Sequence, residues 1–457
     1  MNPRTFREYD IRGVAERDLD DATVTALGNA IGELARAGRE PGMVVVGRDC
    51  RLTSPRLFSA LTEGIRVHAE VVDVGIVPTP VLYFAAHHLK STAAVIITGS
   101  HNPPEDNGFK ILAGLDTLHG AAIARLRDRV AELLAEPSPH PTFPMHSRDI
   151  IGAYQAFAIS QLELGPRRCK IVVDAGNGAG GPTAVALYRR LGFDVVPLYC
   201  DLDGRFPNHH PDPTQPENLA YLIAMIANEG AELGIALDGD ADRIGAVDGT
   251  GRILWGDQLM ILFGKAVLAE VPHARFVGEV KCSQVMYDEL EKAGGTVEMW
   301  KVGHSLIKAR MKEIGAQLAG EMSGHIFFAH RWLGFDDAIY AGARLLEIVS
   351  RWPTLAELAA ELPVAINTPE LRVDCPDEKK FAVVAAVTAT LRADPEVRDV
   401  TDIDGVRARF DGGWGLVRAS NTQPALVMRC EADSAERLAH IKGKVDAAIA
   451  AAVAGAS

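Results

Sequence analysis

Short apolar runs alternate with longer amphipathic stretches along most of the chain. An early group has an apolar run at 43–47, a stretch with helical spacing at 54–68 and a second apolar run at 71–75. Apolar runs of this length are typical of buried strands, and a helical stretch between two of them is typical of a strand–helix–strand unit. The alternation therefore predicts helices packed on sheets, which is the α/β class.

The length of the chain and its proline-rich segments predict several domains. A chain of 457 residues is too long for one hydrophobic core. The proline-rich stretch 136–144 cannot continue the helix before it, because proline lacks an amide donor, so we place a boundary there. A second α/β unit opens at 170–174, and a third begins near Gly251.

The last part of the chain has a different pattern. A capping box at 354–357 is followed by two prolines, so a new unit starts near Thr368. Apolar runs at 406–410 and 414–417 flank a glycine-containing turn, which is typical of a hairpin. We therefore expect α/β domains at 1–145, 146–250 and 251–367, and a C-terminal α+β domain at 368–457.

Charge and cysteine use limit the classes of function. Lysine and arginine number 47 against 60 aspartates and glutamates, and the formal net charge of -13 disfavours sequence-independent binding to nucleic acid, itself a polyanion. No apolar run approaches the ~18 residues that span a bilayer, and the N-terminus lacks a signal-peptide pattern. The six cysteines have neither CxxC nor metal-ligand spacing. We expect a cytoplasmic protein that binds neither nucleic acid nor a membrane.

One serine stands in a tight turn directly after a predicted buried strand. The apolar run 93–97 leads into the hexapeptide TGSHNP at 98–103, whose polar residues are ordinary turn and cap residues when taken alone. The turn is not the nucleophile elbow of serine hydrolases, because Asn102 stands where the second glycine of that motif belongs. Ser100 is therefore a candidate for phosphoryl rather than acyl chemistry.

Three aspartates occupy alternate positions after another apolar run. Alternate residues of an extended segment point to the same side, so Asp238, Asp240 and Asp242 can converge on one hard cation. An EF-hand would need glycine and glutamate where Arg243 and Gly249 stand, which disfavours calcium sensing. Three like charges at this spacing repel each other unless a cation or an arginine relieves them. The segment predicts a Mg²⁺ site.

Two further loops carry groups that suit a phosphorylated sugar. The segment 320–325 places a carboxylate and a hydroxyl two residues apart, Glu321 and Ser323, between glycines, which suits a grip on neighbouring sugar hydroxyls. The segment 418–424 gathers a guanidinium, two hydroxyls, an amide and backbone donors, a set that can surround a phosphate. Each loop alone would be an ordinary polar turn.

Together these segments resemble the α-D-phosphohexomutase family, in its phosphomannomutase/phosphoglucomutase branch. The matching motifs extend from Tyr9 to Pro424 and also include 9–13, Lys281 and 303–305. The resemblance implies four domains with mixed sheets around a central active-site cleft. It also implies reversible phosphoryl transfer between the 1- and 6-positions of mannose and/or glucose phosphates, through a phosphoserine and a hexose 1,6-bisphosphate that serves as intermediate and activator.

The same resemblance gives each matching residue a role. It implies that phosphorylated Ser100 is the donor, that Arg243 contacts the phosphoryl group, and that Lys110 serves in general acid/base transfer. Lys110 could do so only if burial or neighbouring positive charge depresses its pKa. His304 is a secondary catalytic candidate. The implied Mg²⁺ ligands are Ser100, Asp238, Asp240 and Asp242, and the implied substrate-binding residues are Tyr9, Arg12, Lys281, Gly303, Glu321, Ser323, His325, Arg418, Ser420, Asn421 and Thr422.

The chain departs from the family pattern at several positions. Gly99 stands where the family usually has alanine, and Ala241 stands where it often has glycine. Val302 replaces a residue that commonly bears a hydroxyl. The methionine at position 322 resembles the pattern of the mannose/glucose branch, whereas the amino-sugar branch tends to have glutamine at this position.

Two other functions stay open on the sequence alone. The segment 176–181 is a G-x-G-x-x-G after a strand, with Asp194 or Asp201 roughly twenty residues on, which is a fingerprint of nicotinamide-dependent oxidoreductases. A non-catalytic phosphosugar-binding protein would keep the loops around Glu321 and Arg418 but lose the serine or a metal carboxylate, and neither is lost here. A Walker A pattern is absent, which disfavours an ATP-dependent sugar kinase.

Overall fold

The computed structural model describes residues 1–36, 42–136, 140–351, 353–420 and 423–455. Within these residues the chain forms four sheets. Three of them mix parallel and antiparallel strand pairs, and the fourth is antiparallel throughout. The predicted α/β class with mixed sheets and a C-terminal α+β domain is therefore confirmed.

The first domain is a mixed sheet covered by helices on both faces. Its strands are β1 (Ile11–Val14), β2 (Met43–Arg48), β3 (Glu70–Ile76), β4 (Ala93–Ile97), β5 (Asp106–Ala113), β6 (Asp116–Thr117) and β7 (Met145–Ser147), and its α-helices are α1 (Ala15–Asp18), α2 (Asp21–Arg36), α3 (Ser54–Ile65), α4 (Thr79–Leu89) and α5 (Ala121–Leu133). The strand order is β1-β5-β4-β2-β3-β7, with β6 beside β5. Alternate residues of β4 pack against α4 on one face and against α2 and α3 on the other, so every position of β4 is buried.

The second and third domains repeat this layered plan. The second contains α6 (Ile151–Ser160), β8 (Lys170–Asp174), α7 (Gly181–Arg190), β9 (Asp194–Leu198), α8 (Ala220–Glu229), β10 (Leu233–Leu237), β11 (Ile244–Asp248) and β12 (Ile253–Leu254), with strand order β12-β11-β10-β8-β9. The third contains α9 (Gly256–Glu270), β13 (Arg275–Glu279), α10 (Gln284–Lys292), β14 (Thr296–Trp300), α11 (His304–Ile314), β15 (Leu318–Gly320), β16 (Ile326–Phe328), α12 (Ala338–Arg351) and α13 (Leu355–Ala360), with order β14-β13-β15-β16.

The fourth domain is an antiparallel sheet with two long helices. It contains β17 (Ile366–Asn367), β18 (Leu371–Asp374), α14 (Lys380–Ala393), β19 (Val397–Thr401), β20 (Val406–Phe410), β21 (Gly413–Ala419), β22 (Ala425–Ala432) and α15 (Ala435–Gly455). The strand order is β17-β22-β21-β20-β19, with β18 beside β22. Among the described residues, no helix is both long and apolar enough to cross a membrane.

Three short edge strands differ from the domain limits that we expected. Strand β7 pairs with β3 although it extends beyond residue 145, and β12 pairs with β11 beyond residue 250. Strand β17 pairs with β22 although it precedes residue 368. Strands of two or three residues carry no period that a sequence can reveal. We keep the four-domain division as a proposal, with limits that include these strands.

The first three domains share one hydrophobic core, and the fourth has its own. Helix α12 of the third domain is buried on every side and packs against α7 and β10 of the second. The Tyr188 hydroxyl of α7 donates to the carbonyl oxygen of Ile339 at 2.9 Å. A Cβ at Gly342 would lie 2.1 Å from that hydroxyl, so this contact requires glycine. The first three domains therefore form one packed body.

Glycines allow α2 and α3 to touch through their backbones. A Cβ at Gly28 would lie 2.0 Å from the carbonyl oxygen of Leu61. We expect Gly28→Ala to destabilise the protein by about 1–3 kcal/mol, because this helix pair must separate to admit the methyl group. The matched control is Gly443→Ala on α15, where a Cβ meets nothing within 4 Å. That control should be neutral or stabilising by up to about 1 kcal/mol. Thermal unfolding of the two variants checks this, and equal midpoints would contradict the helix packing.

Candidate active site

A cavity of about 600 Å³ lies where the four domains meet. Its wall includes residues from every domain, as expected for a central cleft. Among the predicted site residues it is lined by Tyr9, Arg12, Lys110, Asp242, Arg243, Lys281, Gly303, His304, Glu321, Ser323, His325, Arg418 and Ser420. The predicted residues Asn421 and Thr422 lie outside the described residues.

Ser100 lies in a strained turn beside the cavity, which is lined by the next two residues, His101 and Asn102, but not by Ser100 itself. The turn follows β4, and the φ of Ser100 is 50°, a left-handed conformation that costs roughly 1–2 kcal/mol for a residue with a Cβ. The amide of Ser100 donates to Thr98 Oγ1 at 2.9 Å, which helps to hold this conformation. Ser100 Oγ donates to Asp238 Oδ2 at 2.9 Å and lies 3.1 Å from His101 Nδ1. The predicted nucleophile and the first predicted metal carboxylate are therefore in direct contact.

The three aspartates converge as predicted. Asp238, Asp240 and Asp242 follow β10, each is 0% exposed, and each offers a carboxylate oxygen within 4.8 Å of the others. Burial and the neighbouring Asp242 and Asp240 raise the pKa of Asp238 well above its usual value. Among the described residues, Asp240 Oδ1 is buried without a hydrogen-bond partner, and Asp242 Oδ1 lies 3.2 Å from His325 Nε2. Oxygen ligands with unused lone pairs are the donor set that a hard divalent cation prefers, so these residues fit Mg²⁺.

The loop conformation accounts for one departure from the family pattern. Ala241 has a φ of 58°, a region in which glycine is favoured because it has no Cβ. The loop is closed by backbone donors, since the amides of Asp242 and Arg243 donate to Asp238 Oδ1 at 3.0 and 3.1 Å. Alanine is thus tolerated here at the expense of local strain.

A threonine that we did not single out in the sequence holds one metal carboxylate. Thr79, at the start of α4, donates from Oγ1 to Asp240 Oδ2 at 2.6 Å and from its amide to the Asp240 carbonyl oxygen at 2.9 Å. It is fully buried. Its only sequence signal is its position between two prolines.

Lys110 is buried, but its neighbours are carboxylates rather than the positive charges that would depress its pKa. Its Nζ donates to Asp240 Oδ2 at 2.7 Å and to Asp242 Oδ2. Burial alone would lower the pKa of Lys110, but the two carboxylates outweigh burial and raise it. The expected depressed pKa is therefore wrong for this arrangement, in which Lys110 is an ammonium ion. An ammonium can give a proton to a leaving oxygen, so Lys110 fits a general acid.

A histidine links the aspartates to the predicted sugar loop. His325 lies with Nδ1 2.7 Å from Glu321 Oε2 and with Nε2 3.2 Å from Asp242 Oδ1. Burial lowers the pKa of His325, but Asp242 and the hydrogen bonds to both carboxylates raise it to about 9. Arg243 Nε also lies 3.2 Å from Nε2. Because two carboxylates favour the doubly protonated ring, that arginine contact is packing rather than a hydrogen bond.

Glu321 is fixed at the centre of this network. The amide of Gly303 donates to Glu321 Oε1 at 2.8 Å. Burial raises the pKa of Glu321, but the His325 hydrogen bond outweighs it, so that the pKa falls to about 2. A Cβ at Gly303 would lie 2.5 Å from the Tyr9 ring, and the Tyr9 hydroxyl donates to the Val302 carbonyl oxygen at 2.8 Å. These contacts join the first and third domains at the cavity wall.

His304 has a buried carboxylate beside it that the sequence did not reveal. Asp336 Oδ2 lies 3.3 Å from His304 Nδ1, and Asp336 Oδ1 accepts from Lys308 Nζ at 2.9 Å. Neither ring nitrogen of His304 has a hydrogen-bond partner among the described residues. Burial and Lys308 lower the pKa of His304, so the ring is neutral at pH 7. The only sequence signal for Asp336 is a pair of aspartates in an apolar segment.

Cationic side chains line the wall that the fourth domain contributes. Arg418 Nε donates to Asp404 Oδ2 at 3.0 Å, while its Nη2 is buried and has no hydrogen-bond partner within the described part of the chain. Lys281 of the third domain donates to Glu370 Oε2 at 3.0 Å. Arg12 of the first domain also lines the cavity and donates to Asp10 Oδ2 at 2.6 Å. The cavity wall thus has cationic side chains from the first, third and fourth domains, which suits a phosphorylated substrate.

The glycine-rich segment 176–181 is not a dinucleotide site. The amide of Ala179 donates to the Gly239 carbonyl oxygen at 2.9 Å, and a Cβ at Gly178 would lie 2.6 Å from the same oxygen. A Cβ at Gly180 would lie 2.5 Å from the Ala241 side chain. The close approach that the glycines permit is to the aspartate loop and not to a cofactor. The nicotinamide-dependent alternative is therefore wrong.

Family models and known proteins match the whole architecture. The four domains of the "Phosphoglucomutase/phosphomannomutase" family match at 3–130 (alpha/beta/alpha domain I), 152–251 (domain II), 255–365 (domain III) and 370–448 (C-terminal domain). The phosphomannomutase/phosphoglucomutase of Pseudomonas putida is 47% identical over 96% of this chain and 93% of that protein. The phosphoglucomutase of Neisseria gonorrhoeae is 43% identical over 97% of this chain and 96% of that protein.

A solved structure supports the same relationship. The crystal structure of a phosphoglucomutase/phosphomannomutase family protein from Burkholderia thailandensis superposes with a TM-score of 0.92 at 41% identity, covering 100% of this chain and 99% of that one. The family predicted from the sequence is thus confirmed, and the non-catalytic alternative loses its support. The chain belongs to the phosphoglucomutase/phosphomannomutase family of α-D-phosphohexomutases and is a hexose phosphate mutase.

Proposed function

We propose that the enzyme interconverts the 1- and 6-phosphates of mannose and/or glucose by passing a phosphoryl group through Ser100. The observation that carries this proposal is the contact between Ser100 Oγ and Asp238, one of three buried aspartates beneath the cavity. In the first half-reaction the P–O bond to Ser100 Oγ breaks as a bond forms to a sugar hydroxyl, giving a hexose 1,6-bisphosphate. In the second, the other phosphoryl group returns to Ser100.

Mg²⁺ would be held by Asp238, Asp240 and Asp242 together with an oxygen of phosphorylated Ser100, and when bound it offsets the charge of the phosphoryl oxygens. Arg243, which lines the cavity beside the aspartates, supplies a guanidinium to the same oxygens.

Lys110 is the proposed general acid for the sugar oxygen. As an ammonium it gives a proton to the departing sugar oxygen when Ser100 is rephosphorylated. Attack of the sugar hydroxyl on phosphorylated Ser100 is the reverse of this transfer, and Lys110 can take the hydroxyl proton only after it has lost its own, which Asp240 and Asp242 oppose while they lie beside it. Neutral His304, whose ring nitrogens have no hydrogen-bond partner in the parts of the chain that the structure describes, can accept from or donate to a sugar hydroxyl in the cavity.

The remaining cavity residues hold the sugar phosphate. Glu321 and Ser323 accept from sugar hydroxyls, and His325 holds Glu321 in place. Arg418, Ser420, Asn421 and Thr422 bind the phosphate that is not transferred. Tyr9, Arg12, Lys281 and Gly303 contribute to the rest of the substrate-binding surface. The formal net charge of -13 disfavours nucleic acid as a partner. We therefore propose small hexose phosphates as the partners and the cytoplasm as the location of the enzyme.

Removal of the Ser100 hydroxyl tests this mechanism. Phosphorus NMR should show conversion of glucose 1-phosphate or mannose 1-phosphate to the 6-phosphate by the wild type with Mg²⁺ and a trace of glucose 1,6-bisphosphate. Ser100→Ala should lose this conversion, because no atom remains to carry the group. Ser160→Ala, which changes an exposed serine on α6, should keep it. Full turnover by Ser100→Ala would refute the phosphoserine mechanism.

The contact of Thr79 with Asp240 predicts an effect on metal affinity. Thr79→Val keeps the shape but removes the hydroxyl, and groups that orient metal ligands in this way typically contribute about 10- to 100-fold in affinity. We expect that loss in Mg²⁺ binding measured by titration calorimetry, which does not depend on turnover. Thr92→Val, which removes a hydroxyl bonded to the Met43 carbonyl oxygen far from the site, serves as the control. Unchanged affinity in Thr79→Val would rule out this role.

Turning the bisphosphate between half-reactions requires a cleft that loosens, and we propose that the fourth domain moves. It has its own core, and it meets the third domain through a small apolar cluster of Val280, Trp414 and Leu416. Buried hydrogen bonds from Arg407 and Arg429 to backbone carbonyl oxygens of the third domain complete this interface. We expect small-angle scattering to report a smaller radius of gyration when a hexose phosphate is added, as the fourth domain closes. Identical profiles with and without substrate would contradict this motion.

A further inference from the structure

The turn that carries Ser100 is folded around one buried guanidinium. Arg51 follows β2, and its side chain is 0% exposed. Its Nη2 donates to the carbonyl oxygens of Ser100 and Asn102 at 2.8 and 2.6 Å. Its Nη1 donates to the carbonyl oxygens of Asp106, at 2.9 Å, and Pro103. Four backbone oxygens of the turn therefore converge on a single side chain.

This convergence makes the turn dependent on Arg51. Carbonyl oxygens that point to one buried place repel each other and need donors there. A guanidinium has five N–H groups in a planar fork, and the fifth, on Nε, donates to Asp49 Oδ2 at 3.1 Å. Every donor of Arg51 is thus used, four of them on the turn.

Asp49 ties the guanidinium to the end of the neighbouring strand. Its Oδ2 also accepts from the amide of Gly99 at 3.2 Å, and its Oδ1 accepts from the amide of Arg51 at 3.0 Å and from Ser54 Oγ at 2.6 Å. Arg51 and the residue before the catalytic serine therefore share one carboxylate.

The space taken by Arg51 accounts for a glycine in the turn. A Cβ at Gly99 would lie 2.6 Å from Arg51 Cζ. On the other side, a Cβ at Gly239 would lie 2.4 Å from the Ser100 carbonyl oxygen. The strained backbone of Ser100 is therefore held between the guanidinium and the aspartate loop.

The second domain also fixes Arg51. The Phe206 ring lies 5.0 Å from the guanidinium carbon, and a Cβ at Gly204 would lie 2.5 Å from Arg51 Cα. This domain also carries Asp238, which accepts from Ser100 Oγ. Arg51 thus fixes the position of the serine turn relative to the aspartate loop.

We propose that Arg51 is a positioning residue for phosphoryl transfer, one that fixes the Ser100 turn against the aspartate loop. The inference rests on the phosphoserine mechanism proposed above. It assigns Arg51 no contact with the sugar or with the transferred group.

The test is Arg51→Lys. Lysine keeps the positive charge but has three donors on one atom, which cannot reach four carbonyl oxygens and a carboxylate together. We expect kcat to fall by about 10- to 100-fold, because the nucleophile is displaced, while the KM for glucose 1-phosphate stays within about twofold. The control is Arg48→Lys on β2, where the arginine pairs with Asp73 and makes no contact with the turn. That variant should keep the wild-type kcat.

Hydrogen exchange read by mass spectrometry separates positioning from general destabilisation. In Arg51→Lys, the peptide that covers 98–110 should exchange faster, and the peptide that covers 170–180 should not change. A kcat equal to that of the wild type, a loss confined to KM, or faster exchange throughout the protein would each overturn the proposal.

A second variant decides the question if Arg51→Lys does not fold. Asp49→Asn places an amide donor against Arg51 Nε and the Gly99 amide, so it should also lower kcat with little change in KM, and an unchanged kcat would overturn the proposal.

Mass spectrometry of the wild type after treatment with glucose 1,6-bisphosphate distinguishes failure of the phosphoserine mechanism from failure of the role of Arg51. No phosphate on Ser100 would overturn the phosphoserine mechanism itself. Phosphorylated wild type beside a fully active Arg51→Lys would overturn only the role of Arg51.

Discussion

Three carboxylates are buried together beneath the cavity, and the structure depends on how their charge is balanced. Asp238, Asp240 and Asp242 have no access to water, and burial together with the charges of Asp242 and Asp240 raises the pKa of Asp238. Like charges in a buried site are unfavourable unless cations accompany them. Lys110 comes from the first domain, and His325 comes from the third. The side chains that balance the negative charge of the aspartates therefore reach them only when the first three domains pack together. A bound Mg²⁺ would add further positive charge.

The same arrangement divides the molecule into a rigid part and a separately packed part. The serine turn, the aspartate loop and the sugar loop belong to three domains that share one core. Elements that share a core keep fixed distances, which phosphoryl transfer requires of its reacting groups. Arg418 and Ser420 belong to the fourth domain, which has its own core. The proposed mechanism therefore places phosphoryl transfer in the three domains that share a core, and binding of the phosphate that is not transferred in the fourth domain.

The sequence predicts the elements and the chemistry-bearing motifs well. The strands expected at 43–47, 71–75 and 406–410 are observed as Met43–Arg48, Glu70–Ile76 and Val406–Phe410, because their apolar runs are long enough to identify them. The contact between Ser100 and Asp238 follows from two strand-end motifs, each recognisable by its local spacing. Local patterns such as these are what a single sequence records.

The sequence does not reveal residues that act only through tertiary contacts. Thr79 reaches a carboxylate 161 positions away, and the ring of Phe206 meets Arg51 from another domain. The pKa of Lys110 depends on both burial and two distant aspartates, so its direction could not be worked out from the motif around it. The glycines at 176–181 indicate that another segment packs closely against this backbone, but they do not indicate that this segment is the aspartate loop.

The most direct test of the account is the kinetic competence of phosphorylated Ser100. The enzyme would be labelled with glucose 1,6-bisphosphate carrying ³²P in both phosphoryl groups, then mixed with unlabelled glucose 1-phosphate, quenched at intervals and mapped by peptide. The account predicts that the label lies on the peptide containing Ser100 and leaves at least as fast as the enzyme turns over. Label on another residue, or label that leaves Ser100 more slowly than turnover, would contradict it.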